Sequence, residues 1–301
     1  MKILCAVDGS EFSQWAIDAI GVLGRSALSS VTVLHVMDTR HLKPVGAPHT
    51  ATYRGAKAAL EKSGEEILRR SVTRLEVALS QSSLRPRTTV RSLLLHGSPA
   101  ATIVQRAAQE RMDLIVLGTR GASDIKGFLL GSVARKVTSL ADCAVLAVKR
   151  PIKAVDRILL AVDESKYSRR AAKFLRSGIL PDTAHVIIFT AAVSPVTDLA
   201  ARHLTEQQIK SLNQPVFERA TDLVARMRED FLKEGFTVTT EVQFNHVTDA
   251  IIRMVTFNQI DLLTLGSRGL STQERLQLGS VSETALKYAP CSVLIVRGLR
   301  V

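Results

Sequence analysis

Apolar residues follow two alternating patterns along this chain of 301 residues. Short continuous runs of Val, Leu, Ile and Ala predict buried strands. Longer stretches with apolar residues at helical spacing, such as Leu68, Val72 and Leu75, predict amphipathic helices. Strands that alternate with helices indicate right-handed βαβ units and a parallel sheet with helices on both faces. The predicted strands are 2–8, 31–36, 88–95, 113–117 and 144–148, followed by 157–163, 186–190, 237–244, 261–265 and 292–296.

The two halves of the chain match element by element, which makes the chain an internal repeat. The first strand of each half ends in an aspartate, Asp8 or Asp163, with Ser10 or Ser165 available near the start of the next helix. The segment 149–154 is the predicted linker, because Pro151 and its charged neighbours cannot extend the preceding strand. The predicted helices are 13–24, 57–82, 99–110 and one from Gly131-Ser132, then 168–178, 204–234, 248–258 and one from Gly279-Ser280.

We therefore predict an α/β fold of two tandem doubly wound, Rossmann-like domains, 1–150 and 155–301. Each domain would hold a five-stranded parallel sheet flanked by helices. Aromatic residues make up only 4% of the chain, so the cores should consist of Val, Leu, Ile and Ala, as in sheets buried on both faces. Ligands of such sheets bind beyond the carboxyl ends of the strands.

Each half also carries the same glycine spacing after an apolar run that opens with an aspartate. The two motifs are Gly118-Thr119-Arg120-Gly121, nine residues and Gly131-Ser132, and Gly266-Ser267-Arg268-Gly269, nine residues and Gly279-Ser280. Glycines let backbone amides approach an anion closely, and a helix that begins at the last Gly-Ser adds its positive dipole end. The sequence therefore predicts two phosphate-binding sites. The alternative, that the glycines only form tight turns, is weakened by two coincident spacings with the same flanks.

Composition narrows the class of protein. No apolar run approaches the ~20 residues of a membrane-spanning helix, and the N-terminus lacks the long apolar region of a signal peptide. Cys5, Cys143 and Cys291 form no CxxC pair and no metal-ligand spacing, which predicts free thiols packed in or beside strands. A cytoplasmic protein with no membrane partner is expected.

The net charge of +12 is uneven. Residues 1–150 hold 21 Lys and Arg against 12 Asp and Glu, and residues 151–301 hold 19 against 16. A basic first half could attract nucleic acid or phosphorylated ligands. The chain has no basic run with interleaved aromatic residues, so the arginines at 69, 70 and 74 are better interpreted as the wet face of a long helix. Nucleic acid is not an expected partner.

A strand that ends Val-Asp-x-Ser, followed by Gly-x2-Gly-x9-Gly-Ser, resembles the universal stress protein family, and the glycine-serine pattern resembles its ATP-binding branch. The closing strands after Cys143 and Cys291 add to this resemblance, which covers almost the whole chain as two tandem copies. It implies an adenine nucleotide alpha hydrolase-like fold. It also implies adenine near the ends of strands one and two, ribose near the aspartate, and the triphosphate on the glycine loop. The implied ligand is ATP, with or without Mg²⁺.

Carried over by position, the resemblance implies two sets of nucleotide-binding residues. The first set is Ala6, Val7, Asp8, Val36, Leu117, Gly118, Arg120, Gly121, Gly131, Ser132 and Val133. The second set is Ala161, Val162, Asp163, Thr190, Leu265, Gly266, Arg268, Gly269, Gly279, Ser280 and Val281.

These residue types suit the chemistry. Asp8 can accept a ribose hydroxyl, although Asp8 and Asp163 could also simply cap the next helix. Gly118 and Gly121 would keep side chains out of the phosphate path. Arg120 and its counterpart in the second half either neutralise phosphate or face solvent.

The second copy departs from the first at several positions. Gly9 becomes Glu164, which adds a negative charge, and Val36 is aligned with Thr190 at the adenine wall. The loop between the glycines gains Glu274. Asn245 replaces Gly97, a mild change because asparagine tolerates the left-handed backbone. We expect the second site to bind more weakly.

The predicted function is a nucleotide-binding stress-response or regulatory protein with no dedicated substrate and no catalytic residue. Val133 and Val281 follow the glycine-serine pairs, so no P-loop lysine is present at those positions. One alternative is a slow ATPase or a protein that phosphorylates itself at Ser132 or Ser280. The other is an interaction module without nucleotide, which could associate with nucleic acid through the basic first half. The resemblance further implies a pseudo-dimer in which 144–148 pairs antiparallel with 292–296, and it leaves a homodimer open.

Overall fold

The computed structural model of the chain describes residues 1–23, 28–38, 51–80, 88–121, 130–181, 183–269 and 278–298. Its strands form one sheet in which the two halves lie side by side. The strands of the first half are β1 (Lys2–Ala6), β2 (Ser30–Met37), β3 (Thr89–His96), β4 (Leu114–Gly118) and β5 (Ala144–Val148). Those of the second half are β6 (Arg157–Ala161), β7 (His185–Ala192), β8 (Thr237–Phe244), β9 (Leu262–Gly266) and β10 (Ser292–Val296).

In the described part of the chain, the helices lie between these strands as the sequence predicts, with one short addition. The addition is α6, a single turn before the long helix of the second half. The helices are α1 (Glu11–Val22), α2 (Ala51–Ser80), α3 (Pro99–Gln109), α4 (Ser132–Leu140), α5 (Lys166–Phe174), α6 (Asp198–Ala201), α7 (Glu206–Lys233), α8 (Val247–Phe257) and α9 (Ser280–Tyr288). The predicted α/β class and the tandem, mostly parallel arrangement are confirmed.

Helix starts follow local capping chemistry. Ser10 and Ser165 precede α1 and α5, and each side chain accepts a hydrogen bond from the amide three residues on. A full capping box between Thr205 and Gln208 opens α7. A π turn at Leu175–Ile179 ends the first helix of the second half, where Gly178 has a φ of +84°.

The sheet order is β3-β2-β1-β4-β5-β10-β9-β6-β7-β8. All pairings within each half are parallel, and β5 pairs antiparallel with β10 through Val145–Ile295, Leu146–Leu294 and Ala147–Val293. The predicted pairing of 144–148 with 292–296 is therefore present, and neither closing strand is left as an exposed edge.

Helices α1, α2, α5 and α7 cover one face of the sheet, and α3, α4, α8 and α9 cover the other. Under the first group a single apolar core continues from Ile3 in one half to Phe231 in the other. On the opposite face the core divides into two clusters, one for each half. The linker contributes to the continuous core, because Ile152 and Val155 are buried in it. The domain boundaries at 150 and 155 stay a prediction.

Two cations connect the halves in a reciprocal way. The Nζ atom of Lys149, just after β5, donates to the carbonyls of Ala285 and Ala289 at the end of α9, at 3.2 and 2.7 Å. Its counterpart Arg297, just after β10, donates to the carbonyl of Ser139 near the end of α4. Each half thus supplies a positive charge to the negative end of the other half's last helix. Burial lowers the pKa of Lys149 to about 8.

The three cysteines are free thiols, as predicted. Burial raises the pKa of Cys5 to about 12 and that of Cys291 to about 11, whereas Cys143 is half-buried. Thiols with raised pKa values are unreactive at neutral pH, which fits a packing role. Within the described ranges, every helix is too short or too polar to cross a membrane.

Candidate functional site

A pocket of about 390 Å³ opens beyond the carboxyl ends of β1, β2 and β4. Every residue of the first predicted set lines it, from the end of β1 to the start of α4. Strand β1 lies between β2 and β4 in the sheet, so Asp8 stands between an apolar side and a glycine-rich side. The lining predicted from the sequence is Ala6, Val7, Asp8, Val36, Leu117, Gly118, Arg120, Gly121, Gly131, Ser132 and Val133.

The Asp8 carboxylate shapes the turn after β1. Its Oδ1 accepts hydrogen bonds from the Ser10 amide at 3.0 Å and the Ser10 hydroxyl at 2.6 Å. The Ser10 hydroxyl in turn accepts from the Ser13 amide at 3.2 Å. The helix cap is therefore Ser10 and not Asp8, and the aspartate holds the capping residue in place beside the pocket. In the second half the Ser165 amide likewise donates to Asp163 Oδ1, at 3.0 Å, and the Ser165 hydroxyl accepts from the Ser168 amide, but this hydroxyl donates to the Arg268 carbonyl at 3.3 Å.

The structure explains the glycine at position 118 in a different way from the sequence prediction. A Cβ atom at this position would lie 2.6 to 2.8 Å from atoms of Phe12, including backbone atoms at the start of α1. The same is true of Gly266 and Tyr167, where the nearest backbone atom is at 2.7 Å. These two glycines are required by the close approach of a helix to a strand end, and not to clear a phosphate path.

The described ends of the glycine loop meet at the start of α4. The Gly131 amide donates to the Thr119 carbonyl at 2.7 Å, and α4 begins at Ser132. Among the described residues, no side chain caps the start of this helix. The first amides of a helix have no acceptor within the helix, and they carry the positive end of its dipole. This end of α4 lines the pocket through Ser132 and Val133.

Several lining residues were missed by sequence reasoning. Pro99 and Ile103 of α3 extend the apolar side, Asp38 follows β2, and Lys136 lies one turn into α4. Pro99 could have been found from the Gly97-Ser98-Pro99 turn, and Lys136 from its position four residues after Ser132. Nothing in the local sequence distinguishes Asp38.

A second, smaller pocket of about 100 Å³ lies at the matching place in the other half. Ten of the predicted residues line it, and Thr190 does not. Strand registers explain the difference, because Lys2 pairs with Ser30 as Arg157 pairs with His185. The predicted residues that line it are Ala161, Val162, Asp163, Leu265, Gly266, Arg268, Gly269, Gly279, Ser280 and Val281.

By this register the counterpart of Val36 is Ala191, and Thr190 corresponds to His35. The alignment predicted from the sequence is wrong by one residue. Successive side chains of a strand point to opposite faces, so the slip moves Thr190 away from the pocket. Ala191 and Phe189 line the second pocket instead.

The two loop arginines differ in burial. Arg120 is half-buried, with its guanidinium 5.5 Å from the centre of the Phe12 ring. Arg268 is only 6% exposed, lies 5.7 Å from the centre of the Tyr167 ring and donates to the Tyr167 hydroxyl at 3.2 Å. Neither arginine simply faces solvent, and Arg268 belongs to the packing of its loop.

The expected charge conflict in the second half is not supported by the contacts of Glu164. Both carboxylate oxygens pair with Arg219 of α7, and this pairing lowers the pKa of the Glu164 carboxyl. Glu164 does not line the second pocket. The other predicted acid, Glu274, lies outside the described residues.

The turn before α8 also differs from the prediction. Gly97 has a φ of +140°, as its role in a left-handed turn requires, but Asn245 does not have a positive φ. The Asn245 Oδ1 instead accepts a hydrogen bond from the His246 amide at 2.8 Å. The second half therefore enters its helix by a different backbone path.

Comparisons with known proteins agree with this architecture. A model of the universal stress protein family matches residues 1–149 and 154–297. A universal stress protein of Bacillus subtilis is 30% identical over 148 residues, which are 49% of this chain and 98% of that protein. One from Synechocystis is 24% identical over 311 residues, covering 98% of this chain and 99% of that protein.

Solved structures extend the comparison to the fold. The crystal structure of a universal stress protein from Archaeoglobus fulgidus has a TM-score of 0.68 and 22% identity, and covers 98% of both chains. A universal stress protein from Arabidopsis thaliana was solved with AMP bound. It is 17% identical, covers 48% of this chain and 93% of its own, and has a TM-score of 0.34.

Proposed function

This chain belongs to the universal stress protein family, as two copies of its domain in tandem, and from that premise we propose that it binds ATP in its first half as a regulatory protein without a dedicated substrate. The observation that carries the proposal is the two-sided first pocket. Its apolar side is formed by β2 and α3, and its glycine-rich side by the loop between β4 and α4.

The dimensions of this pocket suit a nucleotide. Strands β2 and β4 are separated by β1, which puts the two sides about 10 Å apart at the usual strand spacing. This is about the distance from an adenine ring to the phosphates of an extended nucleotide. A volume of about 390 Å³ also lies within the range typical of small-molecule sites.

The chemistry of each side matches one part of ATP. Val36, Pro99 and Ile103 offer an apolar surface for the base, and the Asp8 carboxylate can accept ribose hydroxyls. The start of α4 and the cations Arg120 and Lys136 favour the phosphates. Among the described residues, no group of three or more His, Cys, Asp or Glu side chains could hold a metal ion. Where ATP carries Mg²⁺, the ion is held through the phosphates.

Our proposal of a regulatory role concerns what a bound nucleotide does. A P-loop has its phosphate-binding lysine directly after the last glycine, and Ser132 occupies that position here. A bound nucleotide can still act by favouring one arrangement of the chain over another. Within this proposal the protein acts in the cytoplasm, where free thiols stay reduced. Analytical ultracentrifugation tests whether two chains associate.

The first experiment asks whether the purified protein carries nucleotide. The protein is denatured, and the supernatant is analysed for ATP, ADP and AMP; titration calorimetry of nucleotide-free protein then measures ATP and adenosine binding. We expect ATP to bind more tightly than adenosine. No released nucleotide together with no heat on addition of ATP would refute the proposal, and steady release of ADP would favour the slow ATPase.

A variant pair assigns the phosphates to α4. Lys136→Met should weaken ATP binding roughly fivefold to tenfold, equivalent to about 1–1.4 kcal/mol, and should leave adenosine binding unchanged. Arg135→Met is the control, because Arg135 is an exposed cation on the same helix that does not line the pocket. Equal effects of the two variants on ATP binding would show only a general effect of charge.

A further inference from the structure

We propose that Phe189 closes the base end of the second pocket, so that each chain holds one ATP, in its first half. The inference rests on the proposed function of the first pocket and names what decides occupancy of the second. Its starting point is the strand register, in which Ala6 pairs with Leu34 and Ala161 pairs with Phe189. Phe189 therefore stands where the first half has Leu34, and both residues line their pockets.

Part of the surrounding wall is alike in the two pockets. Ile103 and Leu117 of the first pocket have the counterparts Ile251 and Leu265, which line the second. The change from Val36 to Ala191 removes atoms and would by itself enlarge the second pocket. The smaller volume of about 100 Å³ therefore needs side chains that take space, and Phe189 is larger than Leu34, its counterpart in the first pocket.

The lining shows where the space is lost. Asp38, Ser98 and Ala100 line the first pocket on the β2 and α3 side. Their counterparts Val193, His246 and Thr248 do not line the second. The second pocket thus ends near Phe189, on the side where the base would lie, while Gly269, Gly279 and Ser280 still line its other side.

The ring of Phe189 is part of the core and not a mobile cover. Phe189 is 1% exposed and belongs to the apolar cluster that includes Ala161, Ile251 and Leu265. Moving the ring aside would require repacking of that cluster, because protein interiors are close-packed. Base binding in the second half is therefore opposed by the native packing itself.

Titration calorimetry with ATP tests this on the full chain. The wild-type protein should bind one ATP, and Phe189→Leu should add a second binding event. Leu34→Phe should weaken binding at the first site at least tenfold. Phe231→Leu is the matched control, since Phe231 is fully buried on the opposite face of the sheet and should leave the stoichiometry at one.

The outcomes separate the two proposals. No ATP bound to the wild-type chain refutes the proposed function, whereas two equivalent ATP molecules refute only the closure of the second pocket. One ATP in both the wild type and Phe189→Leu would show that Phe189 is not the determinant. The double variant Leu34→Phe, Phe189→Leu gives the final check: it should bind one ATP whose affinity no longer depends on Lys136.

Discussion

The two pockets of this chain share a backbone plan and differ in the side chains that fill it. In both halves a glycine lies against the start of a helix, and the amide of a second glycine closes the loop onto Thr119 or Ser267. The pockets nevertheless measure about 390 and 100 Å³. The comparison teaches that the glycine motif reports how a strand end meets a helix start, whereas pockets of different size can form around it.

The two halves also differ in charge near the start of the helix that follows the glycine motif. The first turn of α4 is followed by Arg135 and Lys136, and the same positions of α9 hold Glu283 and Thr284. Lys136 lines the first pocket, and its counterpart does not line the second. The half with room for a base is thus also the half with more positive charge near the helix start.

The largest effect should come from the feature that the halves share. Gly118→Ala and Gly266→Ala should each destabilise the protein by roughly 1–3 kcal/mol, because the new Cβ atom meets backbone atoms that cannot move aside cheaply. Gly55→Ala is the control: a Cβ there meets nothing within 4 Å, so the change should stabilise α2 by about 0.5–1 kcal/mol. Thermal unfolding measures all three. If only one of the two glycine substitutions lowered the stability, the two loops would not be equivalent.

The next prediction distinguishes Lys149 from Arg297 by how each affects the pH dependence of stability. The pKa of Lys149 is lowered to about 8, against 10.5 for an ordinary lysine. Between these values the unfolded chain binds more protons, so the contribution of Lys149 to stability rises with pH from about 8 to 10.5. Its slope is at most about 1.4 kcal/mol per pH unit. Below pH 8 the cost of its buried charge is fully present.

Denaturant unfolding at several pH values between 7.5 and 10.5 tests this sign. Lys149→Met should lose the rising contribution over that window. Arg297→Met should keep it, because an arginine stays protonated throughout. Identical pH profiles for the wild type and Lys149→Met would contradict the lowered pKa.

A smaller effect should distinguish the loop arginines. Removing the Tyr167 hydroxyl with Tyr167→Phe should cost about 1 kcal/mol, because it takes a hydrogen-bond partner from buried Arg268. Arg268→Met should lower the unfolding temperature more than Arg120→Met does. For ATP affinity we expect the opposite order: Arg120→Met should weaken binding more than Arg268→Met does. An equal loss of affinity from both arginine variants would show that both loops hold phosphate.

The smallest effect concerns Glu164. Its charge is matched by Arg219, so Glu164→Gln should change stability very little. Placed in the Phe189→Leu background, it should alter ATP affinity of the second site less than twofold in a calorimetric titration. A strong gain of affinity would restore the expectation that repulsion by Glu164 weakens that site.

Much of the fold could be predicted because its elements have clear periodicity. The strands at 144–148 and 292–296 were predicted with the bounds that the structure has. The alignment of Thr190 with Val36 failed because a one-residue slip leaves an apolar run equally apolar. Only the pairing with β6 reveals it.

The parts of the site that escaped prediction depend on contacts between distant residues. Gly118 is explained by its contact with Phe12, and the charge of Glu164 is matched by Arg219. Our proposal for the small second pocket rests on Phe189, inside an ordinary buried strand. Phe189 carries no motif of its own. That Phe189 occupies the position of Leu34 becomes evident only when the two strand registers are compared.

The antiparallel joint between β5 and β10 has a consequence for how such a chain can change over time. If the same contact joined two identical subunits, any replacement at position 34 would appear on both sides at once. Here the two sides are encoded separately, so one copy can lose its ligand while the other keeps it. A duplicated gene of this kind can therefore keep one half as a receptor and turn the other into a scaffold that completes the sheet.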